Sequence, residues 1–140
     1  MKLKKGIKRL LEEAGEKTSG IKPEAAQARL GSPNTVFVDI RDIRELKRDG
    51  MIPGAFHAPR GMLEFWVDPE SPYYKPVFTE GNTFILYCAG DWRATLAAGT
   101  LAEMGLPNVY HLEGGLNDWK KEGRPWGARP QKAASGEAES

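Results

Sequence analysis

The stretch "TFILYCAGDWRATLAAGTLAEMG", residues 83–105, decides the fold. Its first six residues are apolar, aromatic or β-branched, and this short run reads as a buried strand. After "AGD" the composition turns to alanine and leucine and closes on Gly105, the pattern of a good helix with a glycine stop. A strand leading through a few residues into a helix is the start of an α/β unit.

The rest of the chain repeats that alternation. Residues 2–14 read as an amphipathic helix with Leu3, Ile7, Leu10, Leu11 and Ala14 on one face. A Gly/Ser/Thr break follows, and then "KPEAAQARL" predicts a helix with Pro23 near its start. "TVFVDI" predicts a strand and "DIRELKRDG" a helix ending near Gly50. "MIPGAFHAP" reads as a turn with a short extended piece, and "GMLEFWV" as a helical turn. Residues 68–82 are rich in proline and polar residues and predict a long loop. "NVYHLEG" is a further strand and "GLNDWKKEG" a further helix. The expected organisation is an N-terminal helical extension over 1–17, one α/β domain over 18–126 with a mainly parallel sheet, and a disordered tail over 127–140.

Composition excludes several classes. A chain of 140 residues, 40% apolar and 28% charged, matches one ordinary globular domain. A net charge of +1 gives no electrostatic footprint for nucleic acid. No apolar window approaches the length of a membrane span, and the basic N-terminus lacks the apolar core of a signal peptide. Cytoplasmic residence is the expectation. One cysteine cannot close an internal disulfide, and with only two separated histidines no metal site of the usual Cys/His type is expected.

Sheets of this kind place their sites at the carboxyl ends of the strands. Cys88 stands at the end of the most apolar strand, just before a helix. Two readings compete there: an inert buried thiol, or a nucleophile. The helix N-terminus supplies unpaired N–H groups and partial positive charge, and a loop curled around one point makes an anion-binding nest. Arg93, five residues on, adds a cation able to grip an oxyanion. These features predict a thiol shifted down from its free value.

"VDIRD", "IPGAFHAP", "CAGDWR" and "HLEGGLNDWKKEG" occur in the order and spacing of single-domain rhodaneses, and over about residues 20–125 the chain resembles that family. The resemblance implies a rhodanese-like fold, a five-stranded, mostly parallel sheet between helices. It implies thiosulfate sulfurtransferase-like activity without a cofactor, in which Cys88 is the catalytic nucleophile and carries a persulfide. It further implies that residues Ala89, Gly90, Asp91, Trp92 and Arg93 form the loop whose amides cradle the sulfur. The implied partners are a small-molecule sulfur donor and a thiol or cyanide acceptor, with a protein sulfur acceptor as a further candidate; no nucleic acid and no membrane is expected.

Two other classes stay open at this point: a low-turnover persulfide carrier or binding module, and a cysteine phosphatase or arsenate reductase. The phosphatases sharing this fold have five residues between cysteine and arginine, whereas four, residues 89–92, intervene here. A shorter loop suits one sulfur atom better than a phosphate.

Asp91 departs from the family, which commonly has glycine there. Pointing outward, or capping the helix, it is harmless; pointing inward, its charge opposes a thiolate. Among the other polar residues, Arg60 is the candidate second cation for an anionic donor. Asp39 and Arg41 are expected to tie the sheet end to its loops, with Glu45 pairing with Arg41 at helical spacing. His57 is expected to be a packed or hydrogen-bonded histidine, and His111 and Trp119 to be structural. Trp66, Tyr73 and Tyr74 are candidate walls of the pocket mouth, and Trp92 a shield over the sulfur.

Overall fold

The computed structural model describes residues 1–130. Five strands form one sheet in which every neighbouring pair is parallel: β1 (Ser19–Ile21), β2 (Thr35–Asp39), β3 (Phe56–His57), β4 (Thr83–Tyr87) and β5 (Val109–Leu112), in the order β1-β5-β4-β2-β3. Six helices connect and cover them: α1 (Ile7–Lys17), α2 (Pro23–Gln27), α3 (Ile43–Asp49), α4 (Leu63–Val67), α5 (Trp92–Glu103) and α6 (Gly115–Lys121). The sheet is thus fully parallel.

Alternation along β4 sends its residues to two different cores. Phe84, Leu86 and Cys88 face one side with Val38, Val109, Leu63 and Val67 of α4, and Ala94, Ala97, Ala98 and Leu101 of α5. Ile85 and Tyr87 face the other with Phe37, Leu112, Ala26 of α2, and Leu116 and Trp119 of α6. Residues 84–87 are wholly shielded from solvent. Burial of a side chain such as Ile85 or Leu86 contributes roughly 1.5–3 kcal/mol. A strand covered on both faces by helices reads as a continuous apolar run, and "TFILYC" is one.

Several expectations shift. The break at residues 18–21 contains β1, an edge strand held to β5 in the register Ser19 to Tyr110. Helix α1 begins at Ile7, so Leu3 lies outside it. It lies against α5, where Ala14 is buried and leaves no space for a side-chain carbon at Gly99. Leu3, Ile7 and Leu10 stay exposed, so most of the expected apolar face is not covered. The chain also remains ordered past residue 126: Met51 and Gly127 exchange backbone hydrogen bonds of 2.8 and 3.0 Å. Of the tail expected over 127–140, residues 131–140 lie outside the described residues. No described helix is long and apolar enough to cross a membrane.

Candidate active site

Cys88 directly follows β4, the central strand, and is 1% exposed. Three residues, 89–91, separate it from the start of α5. Its first residues cannot pair their N–H groups within the helix. Here the first intrahelical bond runs from the Thr95 N–H to the Asp91 carbonyl at 2.8 Å. The preceding amides have no partner within the helix, and those of Arg93 and Ala94 act on the Cys88 thiol. Ala94 was not among the expected loop residues, although the rule of orphan donors in a first helical turn reaches it.

The loop is shaped from behind by α6. The Leu116 N–H donates to the Cys88 carbonyl and the Asn117 N–H to the Ala89 carbonyl, both at 2.9 Å. With these carbonyls drawn outward, the loop can turn amides inward. The close approach requires Gly115, at φ +60: a side-chain carbon there would overlap the Gly90 carbonyl oxygen and crowd those of Ala89 and Cys88. Gly114 precedes it in the left-handed region at φ +78. The "GG" within "HLEGGLNDWKKEG" carries no role in the sequence pattern alone; a glycine pair at the start of a helix is the available signal.

Arg93 is clamped by a residue of α3. Its Nη1 and Nη2 donate to Glu45 Oε2 and Oε1 at 2.9 and 3.1 Å. This fork holds the Glu45 carboxyl below the usual range for a carboxylate. Glu45 also completes a capping box with Asp42 at the start of α3, which fixes its side chain. The expected pairing of Glu45 with Arg41 is not formed. Arg41 lies before the helix and folds into the protein, where Nε and Nη2 donate to Asp39 Oδ1 and Oδ2 at 2.9 and 2.7 Å. Arg41 Nη2 also reaches the Gly50 carbonyl at 2.7 Å, and both side chains are buried. The pair ties the end of β2 to the turn after α3, as expected of it. His57 is buried too, its Nε2–H donating to the Arg41 carbonyl at 2.8 Å.

Asp91 has φ −144, so this position does not demand glycine, and its side chain makes no capping bond to the helix. The carboxylate turns to β5 and α5: Oδ1 accepts from His111 Nδ1 at 2.8 Å and from Thr95 Oγ1 at 3.2 Å. His111 is therefore bonded to the loop itself, beyond the purely structural part expected of it. Trp119 is the structural residue it was expected to be, fully buried with Nε1 on the Pro125 carbonyl.

The remaining candidates are dispersed. Trp92 opens α5 and is largely exposed, at the rim of the loop. Arg60 is not brought to the sulfur. It bonds Glu64 at 2.9 Å and approaches Thr100, which lies eight residues beyond Trp92, about 12 Å down α5. A cation with an acid at i+4 on its own helical segment is taken up locally. Trp66 packs edge-on to Phe56 and beneath Lys75, and the exposed Tyr73 lies against Phe65. Tyr74 helps line a cavity of about 490 Å³ with Met104, Leu106 and Phe78, at the far end of α5 from Cys88. The loop over 68–82 thus packs at that end of the domain, not over the sulfur.

Burial and charge act on the thiol in opposite directions. Burial pushes the Cys88 thiol up, while the Ala94 and Arg93 amides and the Arg93 charge pull it down; Asp91 adds a minor upward push. Burial prevails, so the net shift is upward, against the lowering expected from position alone. The lowering effects of the helix are present, but the sulfur lies too deep for them to win. Among the described residues no group of three or more acidic, His or Cys side chains could hold a metal ion.

A buried cysteine just before a helix N-terminus, on an all-parallel sheet of this order, defines a class of cysteine-loop domain. The chain belongs to the family of rhodanese-like domains, whose family model matches residues 22–122. Among solved structures it is similar to a protein of unknown function from Rhodopseudomonas palustris, called a possible tyrosine phosphatase, with 47% identity and a TM-score of 0.86 over 91% of this chain and 98% of that one. It is similar also to the polysulfide-sulfur transferase of Wolinella succinogenes, a homodimer, with 28% identity and a TM-score of 0.64 over 89% and 88% of the two chains. Among curated proteins it resembles the tRNA uridine(34) hydroxylase of Photorhabdus laumondii, 27% identical over 109 residues, which cover 76% of this chain. The match spans only 30% of that relative's length.

Proposed function

We propose that the protein is a sulfurtransferase that carries a sulfane sulfur on Cys88. The observation that carries the reading is the geometry at the sulfur. Two amide donors of α5 meet Cys88, and Arg93, clamped by Glu45, stands only four intervening residues away. In the first step the Cys88 thiolate attacks the outer sulfur of thiosulfate or a similar donor. A new S–S bond forms, the donor's S–S bond breaks, and sulfite leaves with the bonding pair. In the second step cyanide or an acceptor thiolate attacks the outer sulfur, and Cys88 departs as thiolate. The scheme is ping-pong with a covalent intermediate. The Arg93 and Ala94 amides and the Arg93 charge stabilise the anionic outer sulfur.

The sulfur-transferring neighbour supports this reading, and the short loop weighs against phosphate chemistry despite the name of the Rhodopseudomonas protein. The test is intact mass after incubation with thiosulfate, for wild type and Cys88→Ser. A gain of one sulfur atom, reversed by cyanide and absent in the variant, is the expected result. Hydrolysis of p-nitrophenyl phosphate without any sulfur adduct would replace the proposal with a phosphatase.

A further inference from the structure

Asp91 places a carboxylate in a loop whose amides are set to stabilise an anion. Two like charges in such a loop oppose each other, and the opposition grows as water is excluded. The structure nevertheless directs this carboxylate to neighbours outside the loop. His111, in β5, donates from Nδ1 to Asp91 Oδ1 at 2.8 Å. Thr95, one turn into α5, donates from Oγ1 to the same oxygen at 3.2 Å and to the Asp91 carbonyl at 3.0 Å. His111 is held in turn by the sheet, in register with Leu86 of β4 and Gly20 of β1. Gly20 adds no side chain beside the ring, and the side chain of Glu113 folds over that glycine.

We infer that His111 is a positioning residue for the Cys88 loop: it holds the Asp91 carboxylate away from the sulfur and so keeps the loop available to a thiolate or persulfide. The inference builds on the reading of Cys88 as the reacting group. It requires neither a particular donor nor a particular acceptor. Without the His111 donor, only a shared threonine proton restrains Asp91, and the carboxylate is free to reach the amides that otherwise serve the sulfur.

The experiment is the rate of Cys88 alkylation by iodoacetamide, in which the thiolate displaces iodide, followed from pH 6 to 10. It is run on wild type, His111→Ala, Asp91→Asn and the double variant, with thiosulfate turnover as a second readout. His111→Ala is expected to slow alkylation about three- to tenfold at pH 7.5, the size of one ordinary hydrogen bond. Asp91→Asn alone is expected to change it less than twofold, because the carboxylate already faces away. Adding Asp91→Asn to His111→Ala is expected to restore the wild-type rate, and so is His111→Asn, whose side-chain amide can replace the Nδ1 donor. A purely structural His111 would leave the double variant as slow as the single one, which overturns the inference. If His111→Ala does not fold, Asp91→Asn still decides: a rise of tenfold would mean that the carboxylate already bears on the sulfur. Alkylation reads the thiol without any sulfur donor, so a failed thiosulfate assay with the expected alkylation pattern removes the sulfurtransferase reading and leaves this one intact.

Discussion

The Leu116 N–H donates to the Cys88 carbonyl at 2.9 Å, which makes the start of α6 part of the wall behind the Cys88 loop. The contact depends on Gly115, where any side-chain carbon would overlap the Gly90 carbonyl oxygen and where φ is +60. Gly115→Ala is expected to cost at least ~3 kcal/mol, from a strained backbone together with a displaced loop. A urea titration checks it. A midpoint within error of wild type would show that α6 shifts freely and does not shape the loop.

Arg93 and Glu45 form a forked pair, and the two sides of the fork have opposite effects on the thiol. Arg93→Met removes a cation that favours the thiolate and is expected to slow Cys88 alkylation at neutral pH. Glu45→Gln leaves the cation without its counter-charge and is expected to speed it. Glutamine also preserves the capping box of α3, so the stability loss should stay below about 1 kcal/mol, ordinary for a part-exposed pair. Alkylation rates moving in the same direction in both variants would mean that Arg93 acts through loop shape, not charge.

The pH dependence follows from the upward shift of the thiol. The thiolate is the reacting form, so alkylation and persulfide formation should keep rising with pH beyond ~9.5, where a free thiol of pKa ~8.5 is nearly all thiolate. Stability should run the other way. The native state holds this proton more tightly than the unfolded chain, so the contribution is complete below ~8.5 and is lost as pH rises through the folded-state value. A rate plateau at or below pH 7 would show that the amides and Arg93 outweigh burial.

Asp39 and Arg41 are a buried pair, and removing one member leaves the other charged and unpaired. Asp39→Asn or Arg41→Met is expected to cost about 3–5 kcal/mol, which for a domain of this size lowers the melting temperature by roughly 10–20 °C. The double apolar variant Asp39→Leu/Arg41→Met should recover part of that loss. Calorimetry on the three variants checks the ordering, and a double variant worse than the sum of the singles would contradict it.

What could be read from the sequence was what local pattern controls. "TFILYC" was legible because a strand buried on both faces is apolar throughout, and α5 because alanine and leucine recur up to a glycine stop. Edge strand β1 was not, since "SGI" is three residues long and takes its order from β5 alone. The position of Cys88 was readable, but its depth was not: whether burial or the helix amides prevail depends on how the chain packs above the sulfur. The clamp on Arg93 was hidden because Glu45 is 48 residues away in sequence, and only the adjacency of β2 and β4 brings the two together. Helical spacing suggested Arg41 instead, a rule that fails because Arg41 precedes the cap at Asp42. Likewise nothing in "GDW" tells that Asp91 meets a histidine of the next strand.

Two of the donors at the sulfur, the amides of Arg93 and Ala94, belong to the main chain, and main-chain groups cannot be deleted by changing a side chain. In a saturation scan the sensitivity map should therefore appear displaced from the chemistry. Ala89 and Trp92, beside the reactive atom, would accept many replacements, while Gly114 and Gly115, on another helix some 26 positions further along, would accept almost none. A family of such domains can then vary the face it shows to its substrates by exchanging loop side chains, because the anion-holding function is inherited from the backbone path and not from the residues that decorate it.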